Sequence, residues 1–356
     1  MSNTNEARNL WLDAGRVIAL TAIMLFHFYS CWANLGDGNY YPYGSKYDYF
    51  YWGSYGVEFF FALSGFFIVS SLNRSYSWGA FARKKLFRLG IPIVLCSFLT
   101  SAVFRLFDKS MLIPESHDWR NAAISCLFIN PEIINRFFET HFAYVNGSYW
   151  FMAIEGQFLF AASAFYYLDK KHFVRNFTLF STAISLLACI LYDCGTNGPL
   201  ACLTIVESNP KFFADAYDLL DFDYSFHALS FMAGMVCWSV AYRHIDKVQI
   251  GSFLVLLLMY AHVVSIAVLL IILFWVSYAV FAPSLRPFKC LKPLAKLGES
   301  SYVTYLIHEY IGILLIHRYS ESWGALDWAF PLLLILLFFL IGYGSQGQVP
   351  LIRLYR

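Results

Sequence analysis

The chain alternates between long apolar stretches and short polar connections. About 20 mostly apolar residues are enough to cross a membrane as a helix, and most of the apolar stretches have about this length. The pattern therefore predicts about ten membrane-spanning helices, of which the seventh and eighth form one apolar block broken near Ala261 and His262. The predicted spans are residues 11–31, 51–72, 89–107, 149–168, 176–193, 225–242, 248–261, 263–282, 298–317 and 328–346.

Positive charge is concentrated in alternate connections between these spans. Connections 32–50, 194–224 and 318–327 carry few cations, and the second of them is acidic. Lys and Arg accumulate in connections that stay in the cytoplasm. The alternation thus predicts an all-α integral membrane bundle with both termini cytoplasmic. The basic connections are residues 73–88, 169–175, 243–247 and 283–296.

Composition agrees with a membrane protein and excludes some classes of function. Hydrophobic residues make up 59% of the chain and charged residues 13%, whereas soluble domains are roughly 25% charged. A net charge of +2 gives nucleic-acid binding no electrostatic support. We expect one domain over residues 1–356, membrane lipid as its surroundings, and no metal site, because Cys and His lack ligand spacing. Whether Cys194 and Cys202 pair is left open.

Ionisable residues inside predicted spans stand out, because they are costly in lipid and usually functional. Asp13, Arg16 and His27 share one face of the first span. Asp13 and Arg16 lie near its cytoplasmic end and can pair. His27 lies fourteen residues beyond Asp13, about 21 Å further along the helix, which places it in the outer half of the membrane.

Two carboxylates are predicted at a similar depth. Glu58 lies near the outer end of the second span and Glu155 near the outer end of the fourth. A His beside a carboxylate is a general-base arrangement, so we interpret His27 and Glu58 as a catalytic pair. The alternative is polar packing between helices, and for Glu155 both readings are open.

Two further groups could bind substrate. Ser301, Tyr305 and His308 share one face of the ninth span, which suggests substrate positioning or a structural role. Arg83, Lys85 and Arg88 precede the third span and could hold the phosphates of a nucleotide-like donor. An ordinary cytoplasmic flank would also be basic.

Five segments, in order, resemble the acyltransferase-3 family of membrane O-acyltransferases. Each segment alone is weakly specific, but the series extends over the whole chain. Lys85 stands where the family often has Arg, which weakens bidentate contact with phosphate. The segments are NLWLDAGRVIALTAIMLFHF, GVEFFFALSGFFI, RKKLFRLGIP, WFMAIEGQFLF and LGESSYVTYLIH.

The resemblance implies transfer of an acyl group, usually acetyl, from cytoplasmic acyl-CoA to a hydroxyl. The implied acceptors are sugars of lipopolysaccharide O-antigen or a related surface or lipid-linked glycan, at a bacterial inner membrane. No permanently bound cofactor is implied, since acetyl-CoA is the donor substrate. His27 and Glu58 would be catalytic. The remaining candidates, Asp13, Arg16, Arg83, Lys85, Arg88, Glu155, Ser301, Tyr305 and His308, would bind substrate or donor.

A proton-coupled transporter or exporter is the alternative function. Acidic and His residues at mid-membrane also form proton relays, and secondary transporters bind their substrates near the midplane. Such transporters commonly contain internal repeats, and this sequence shows none.

Overall fold

A computed structural model describes the chain as a set of helices. It describes residues 10–32, 34–35, 39–43, 48–195, 223–242, 246–260, 269, 272–273, 276, 291–298 and 300–345. The α-helices are α1 (Leu10–Tyr29), α2 (Gly56–Asn73), α3 (Trp78–Lys85), α4 (Ile91–Phe107), α5 (Trp119–Ser125), α6 (Pro131–Phe138), α7 (Trp150–Leu168), α8 (Phe173–Gly195), α9 (Asp223–Ala241), α10 (Lys247–Tyr260), α11 (Leu291–Gly298), α12 (Ser301–Tyr319) and α13 (Phe330–Ser345).

Several short elements lie between these helices. Segments of 3₁₀ helix cover Asp48–Tyr55, Pro114–His117, Gly147–Tyr149 and Ser320–Ala329. Strands Asn34–Leu35 and Asn39–Tyr40 form a small antiparallel pair. The sequence analysis predicted none of these, nor α5 and α6, because apolar run length detects only segments that cross a membrane.

Six helical stretches of the described chain are long and apolar enough to span a membrane, so the chain is a multi-pass membrane protein. The last stretch contains both α12 and α13, and α9 and α10 contribute two shorter apolar helices. Most of predicted span 263–282 lies outside the described residues, as do both chain ends and Cys202. The count of ten spans and the cytoplasmic termini therefore stay predictions.

The backbone divides into two compact units. Helices α2 and α7 each contribute residues to both units. The first unit is Met1–Phe60, Gly79–Ala153 and Tyr278–Arg356, and the second is Phe61–Trp78 and Ile154–Ser277. The prediction of a single domain is not tested by this division.

In the first unit, α1 and α12 run parallel and close together. A Cβ on Gly298, where α11 ends, would lie 2.2 Å from the carbonyl oxygen of Asp13, near the start of α1. A Cβ on Gly312 of α12 would lie 2.4 Å from the ring of Phe28, near the end of α1. Small residues thus permit close approach at both levels, as is common between membrane helices.

Tyrosine hydroxyls tie the far end of α1 to the segments around it. Tyr41 donates a hydrogen bond to the carbonyl of Phe28 (2.9 Å), and Tyr43 donates to the carbonyl of Asp327 (2.8 Å). Tyr29 donates to the neighbouring carbonyl of Trp328. These bonds fix the chain where α1 ends, two residues beyond His27.

A π-helical turn, Leu86–Gly90, joins α3 to α4. Pro92 lacks the N–H that would bond the carbonyl of Arg88 in an α-helix, which explains the wider turn at this point. The hydroxyl of Tyr302 on α12 donates to the carbonyl of Leu89 (2.9 Å). Arg88 therefore lies on a turn that α12 anchors.

In the second unit, α2 and α9 cross with their backbones in contact. A Cβ on Gly65 would lie 1.9 Å from the carbonyl oxygen of Phe231, and one on Gly234 would lie 1.9 Å from that of Ala62. Each glycine faces the backbone of the opposite helix, so this crossing has no room for a larger residue at either position.

We expect Gly65→Ala to lower the free energy of unfolding by about 1–3 kcal/mol, because the added methyl must push the two helices apart. Thermal unfolding of the purified protein in detergent measures the change. Gly251→Ala on α10 is the control, since a Cβ there meets nothing within 4 Å. The control should be neutral or slightly stabilising. Equal unfolding temperatures for Gly65→Ala and wild type would refute the close crossing.

Candidate functional site

The polar face of α1 carries ionisable groups at both of its ends. Asp13 is buried in the first turn and accepts a hydrogen bond from Arg16, as their spacing predicted. His27 is buried in the last turn. Apolar residues such as Leu20 and Ile23 fill the core between them.

The carboxylate next to His27 belongs to Glu309 of α12. The Nδ1 atom of His27 lies 2.9 Å from Oε1 of Glu309, and both residues are almost entirely buried. The ring is turned so that an N–H on Nδ1 would not point well at this oxygen, so the contact is a close approach rather than a well-formed hydrogen bond. Catalytic contacts are often misaligned in this way before substrate binds.

A second imidazole lies beside the first. The ring centroids of His27 and His308 are 5.2 Å apart, and His308 is fully buried. Nδ1 of His308 lies 2.7 Å from the carbonyl oxygen of Tyr305. A carbonyl only accepts hydrogen bonds, so Nδ1 carries the proton and Nε2 has the lone pair. No described residue bonds that Nε2 atom.

The segment Asn146–Ser148, which leads into α7, is fastened onto α12. The amide of Asn146 donates to the carbonyl of Leu306 (2.9 Å), and the hydroxyl of Tyr305 donates to the carbonyl of Ser148 (2.8 Å). These bonds hold the start of α7 directly against the residues that carry the site.

Gly147 permits this close approach. A Cβ at position 147 would lie 2.8 and 2.9 Å from the two carboxylate oxygens of Glu309 and 2.9 Å from the ring of Tyr310. The start of α7 therefore lies against the Glu309 carboxylate. A helix start carries partial positive charge, which favours an anion there.

A pocket of about 270 Å³ opens beside His27 and Glu309. Its walls are mainly aromatic, with a few polar groups. The lining residues are Phe26, His27, Cys31, Trp32, Ser54, Val57, Gly147, Trp150, Tyr305, Glu309 and Tyr310.

Cys31 lines the same pocket and is exposed.

The structure brings three of the predicted residues together. His27, Tyr305 and His308 meet where α1 and α12 pack, and Ser301 is buried at the start of α12. Glu58 is half-buried in the first turn of α2. Its role as the catalytic partner of His27 stays a prediction, whereas the contact between His27 and Glu309 is observed.

Glu155 belongs to the second unit. Its Oε1 atom accepts a hydrogen bond from the hydroxyl of Ser64 (2.6 Å), and the residue is buried. Arg83, Lys85 and Arg88 lie on α3 and the π-helical turn, where Lys85 also lies 5.6 Å from the ring of Phe81. Their roles toward a donor are untested.

Sequence reasoning missed Glu309 and Gly147. Glu309 follows His308 directly inside a predicted span, so the rule that ionisable groups in membranes are functional already pointed to it. It also lies four residues after Tyr305, so helical periodicity places it near the face shared by Ser301, Tyr305 and His308. No signal in the sequence identified Gly147, because its role depends on a contact between distant segments.

Comparison with models of protein families gives a match over nearly the whole chain. The model of the acyltransferase-3 family, described as "Acyltransferase domain", matches residues 9–345. No curated protein and no solved structure matches the chain. The matched range includes α1, α12 and the segment around Gly147, and thus every residue of the site.

We expect Tyr305→Phe to lower the free energy of unfolding by about 1–3 kcal/mol, because it leaves the buried carbonyl of Ser148 without its donor. Chemical or thermal unfolding in detergent measures the loss. Tyr76→Phe provides the matched control, since that side chain is 84% exposed. If both variants unfold like wild type, the bond between Tyr305 and Ser148 does not fasten the segment.

Proposed function

Because this chain belongs to the acyltransferase-3 family of membrane acyltransferases, we propose that it transfers an acetyl group from cytoplasmic acetyl-CoA to a sugar hydroxyl. The acceptor is a sugar of lipopolysaccharide O-antigen or of a related surface or lipid-linked glycan, and the setting is a bacterial inner membrane. The observation that carries the proposal is the contact between His27 and Glu309 at an aromatic pocket inside the membrane part of the chain.

The chemistry needs one base and one group to stabilise the charge that the base acquires. A sugar hydroxyl is a weak acid, so its attack on a thioester requires removal of its proton. His27 takes that proton as the hydroxyl oxygen attacks the acyl carbon. The bond between carbon and sulfur then breaks, and His27 returns the proton to the CoA sulfur. The products are the sugar ester and free CoA.

Glu309 supports this cycle in two ways. Its contact with Nδ1 of His27 favours the tautomer with the proton on that nitrogen, which leaves Nε2 free as the base. Its charge also stabilises the imidazolium that forms after proton transfer. We still propose a catalytic role for Glu58, and we assign to Glu309 the closer contact with His27.

The donor is proposed to bind at the cytoplasmic side. Arg83, Lys85 and Arg88 offer cations for the CoA phosphates, and the π-helical turn is held by the bond from Tyr302 to Leu89. The acyl group reaches His27 directly or as an acyl-His27 intermediate. In either route, Asp13 and Arg16 are proposed to line the inner mouth of the bundle.

Family membership favours this function over a transporter. The buried charges alone are compatible with a proton relay, and polar packing between helices would also bury them. A packing contact, however, needs no pocket beside the imidazole, whereas an acyltransferase needs room for the acceptor. A transporter would also need such a pocket, so family membership is what favours the acyltransferase over it.

We expect His27→Ala to reduce acetyl transfer by about 100- to 10,000-fold, the usual contribution of a general base. Glu309→Gln should reduce it at least about tenfold, since an orienting carboxylate in a catalytic triad contributes up to ~10⁴-fold. The measurement is transfer of radiolabelled acetyl from acetyl-CoA to acceptor glycan by purified protein.

Glu132→Gln, at the exposed start of α6, is the control and should retain full activity. Glu58→Gln tests the earlier pairing, and a greater loss there than in Glu309→Gln would reverse our assignment of the closer carboxylate. Near wild-type transfer by folded His27→Ala protein would remove His27 from the mechanism.

We expect the double change Lys85→Ala and Arg88→Ala to raise the KM for acetyl-CoA at least about tenfold, because charge-assisted bonds to phosphate are lost. The KM for the acceptor should not change. Titration of the donor at fixed acceptor concentration measures the effect. Lys170→Ala with Lys171→Ala, in another basic connection, is the control. Equal donor KM values in both double variants would contradict the proposed donor site.

A further inference from the structure

Acidic and basic side chains are not balanced among the described residues of the pocket lining. Among the described residues that line it, Glu309 is the carboxylate, His27 is the titratable base, and Lys and Arg are missing. Of these described residues, only His27 can take up a positive charge, and it already faces Glu309. A ligand with its own negative charge would therefore lie beside a carboxylate, and the described lining offers it neither Lys nor Arg.

The pocket walls present flat aromatic surfaces. Trp32 and Tyr310 meet edge to face with their ring centroids 5.8 Å apart, and Trp150 lies at the start of α7. Tryptophan and tyrosine combine an apolar face with a polar group at the edge. Such walls suit a ligand that has an apolar ring face and polar groups around its edge.

Besides Nδ1 of His27, which faces Glu309, two polar atoms of the lining lack hydrogen-bond partners among the described residues. They are the indole Nε1 of Trp32, which can only donate, and Oε2 of Glu309, which accepts when ionised. Leaving such buried atoms unpaired is costly, so a ligand that pairs both would bind favourably. A hydroxyl can donate and accept, and two hydroxyls on one ring would satisfy both atoms.

The size of the pocket limits the ligand further. Ligand pockets for drug-sized molecules usually measure about 300–1,000 Å³, and this one measures about 270 Å³. A single ring with its substituents is the appropriate scale, whereas a longer glycan would extend out of the opening.

We propose that this pocket is the acceptor subsite and that it selects an uncharged sugar ring over uronic acids and phosphorylated sugars. The inference rests on the proposed function and adds the class of acceptor. The ring lies against Trp32, which donates to one hydroxyl, while another hydroxyl meets Glu309 and the reacting hydroxyl faces His27. Trp32 is thus a specificity-determining residue.

The test compares acceptors that differ only in charge. Full-length protein in lipid nanodiscs is given acetyl-CoA and methyl glycosides of glucose, galactose and mannose. Each glycoside is matched with its uronic acid and with the uncharged uronamide. We expect kcat/KM for the uronic acids to be at least about tenfold lower than for the neutral sugars, equivalent to one unfavourable charge contact, with the uronamides close to the neutral sugars.

Binding without donor separates this inference from the proposed function. Saturation-transfer NMR of the same methyl glycosides reports binding when no acetyl-CoA is present. Binding of neutral sugars without any acetyl transfer would contradict the enzymatic proposal and support the subsite. Transfer to uronic acids at the rate of neutral sugars would support the enzyme and overturn the subsite.

A variant tests the role of Trp32 itself. Trp32→Phe retains an aromatic face but removes the N–H, so we expect the acceptor KM to rise about three- to tenfold, the effect of one hydrogen bond, while the acetyl-CoA KM stays constant. Trp323→Phe, in the segment Ser320–Ala329 and outside the pocket lining, is the control. Unchanged acceptor KM in Trp32→Phe would remove this residue from the subsite.

Discussion

The contact between His27 and Glu309 is the interaction on which the rest of the site depends. An ionised carboxylate inside an apolar bundle is unfavourable unless something compensates its charge. Here the compensation comes from an imidazole on α1 and from the start of α7, which Gly147 allows to approach. Three segments distant in sequence therefore converge on Glu309, and the fold that achieves this also creates the pocket.

Close backbone packing supplies the rigidity that this contact needs. Gly298 at the end of α11 and Gly312 of α12 let these helices lie close to α1, and hydrogen bonds from Asn146 and Tyr305 fix the segment before α7. These contacts restrain the backbone that carries His27 and Glu309. A catalytic base needs such fixed geometry, since small displacements are costly to rate.

Apolar run length predicted the positions of the long helices well. Spans 149–168 and 328–346 correspond to α7 (Trp150–Leu168) and α13 (Phe330–Ser345). The short elements were not predictable in this way, because 3₁₀ turns and the π-helical turn arise from local geometry such as the missing N–H of Pro92. Periodicity within one helix also could not choose the partner of His27. That choice depends on which helix lies beside α1, and the structure brings α12 there with Glu309.

The two imidazoles of the site have different hydrogen-bonding partners, and this difference separates their roles. Nδ1 of His308 is bonded to the carbonyl of Tyr305, and its Nε2 has no hydrogen-bond partner among the described residues. Glu309 contacts Nδ1 of His27, so the carboxylate that could stabilise an imidazolium lies at His27. His27 is consequently the better candidate for the base, and His308 is a neighbouring ring 5.2 Å away. One base beside one carboxylate matches a reaction that removes one proton from the acceptor and returns one to the leaving group.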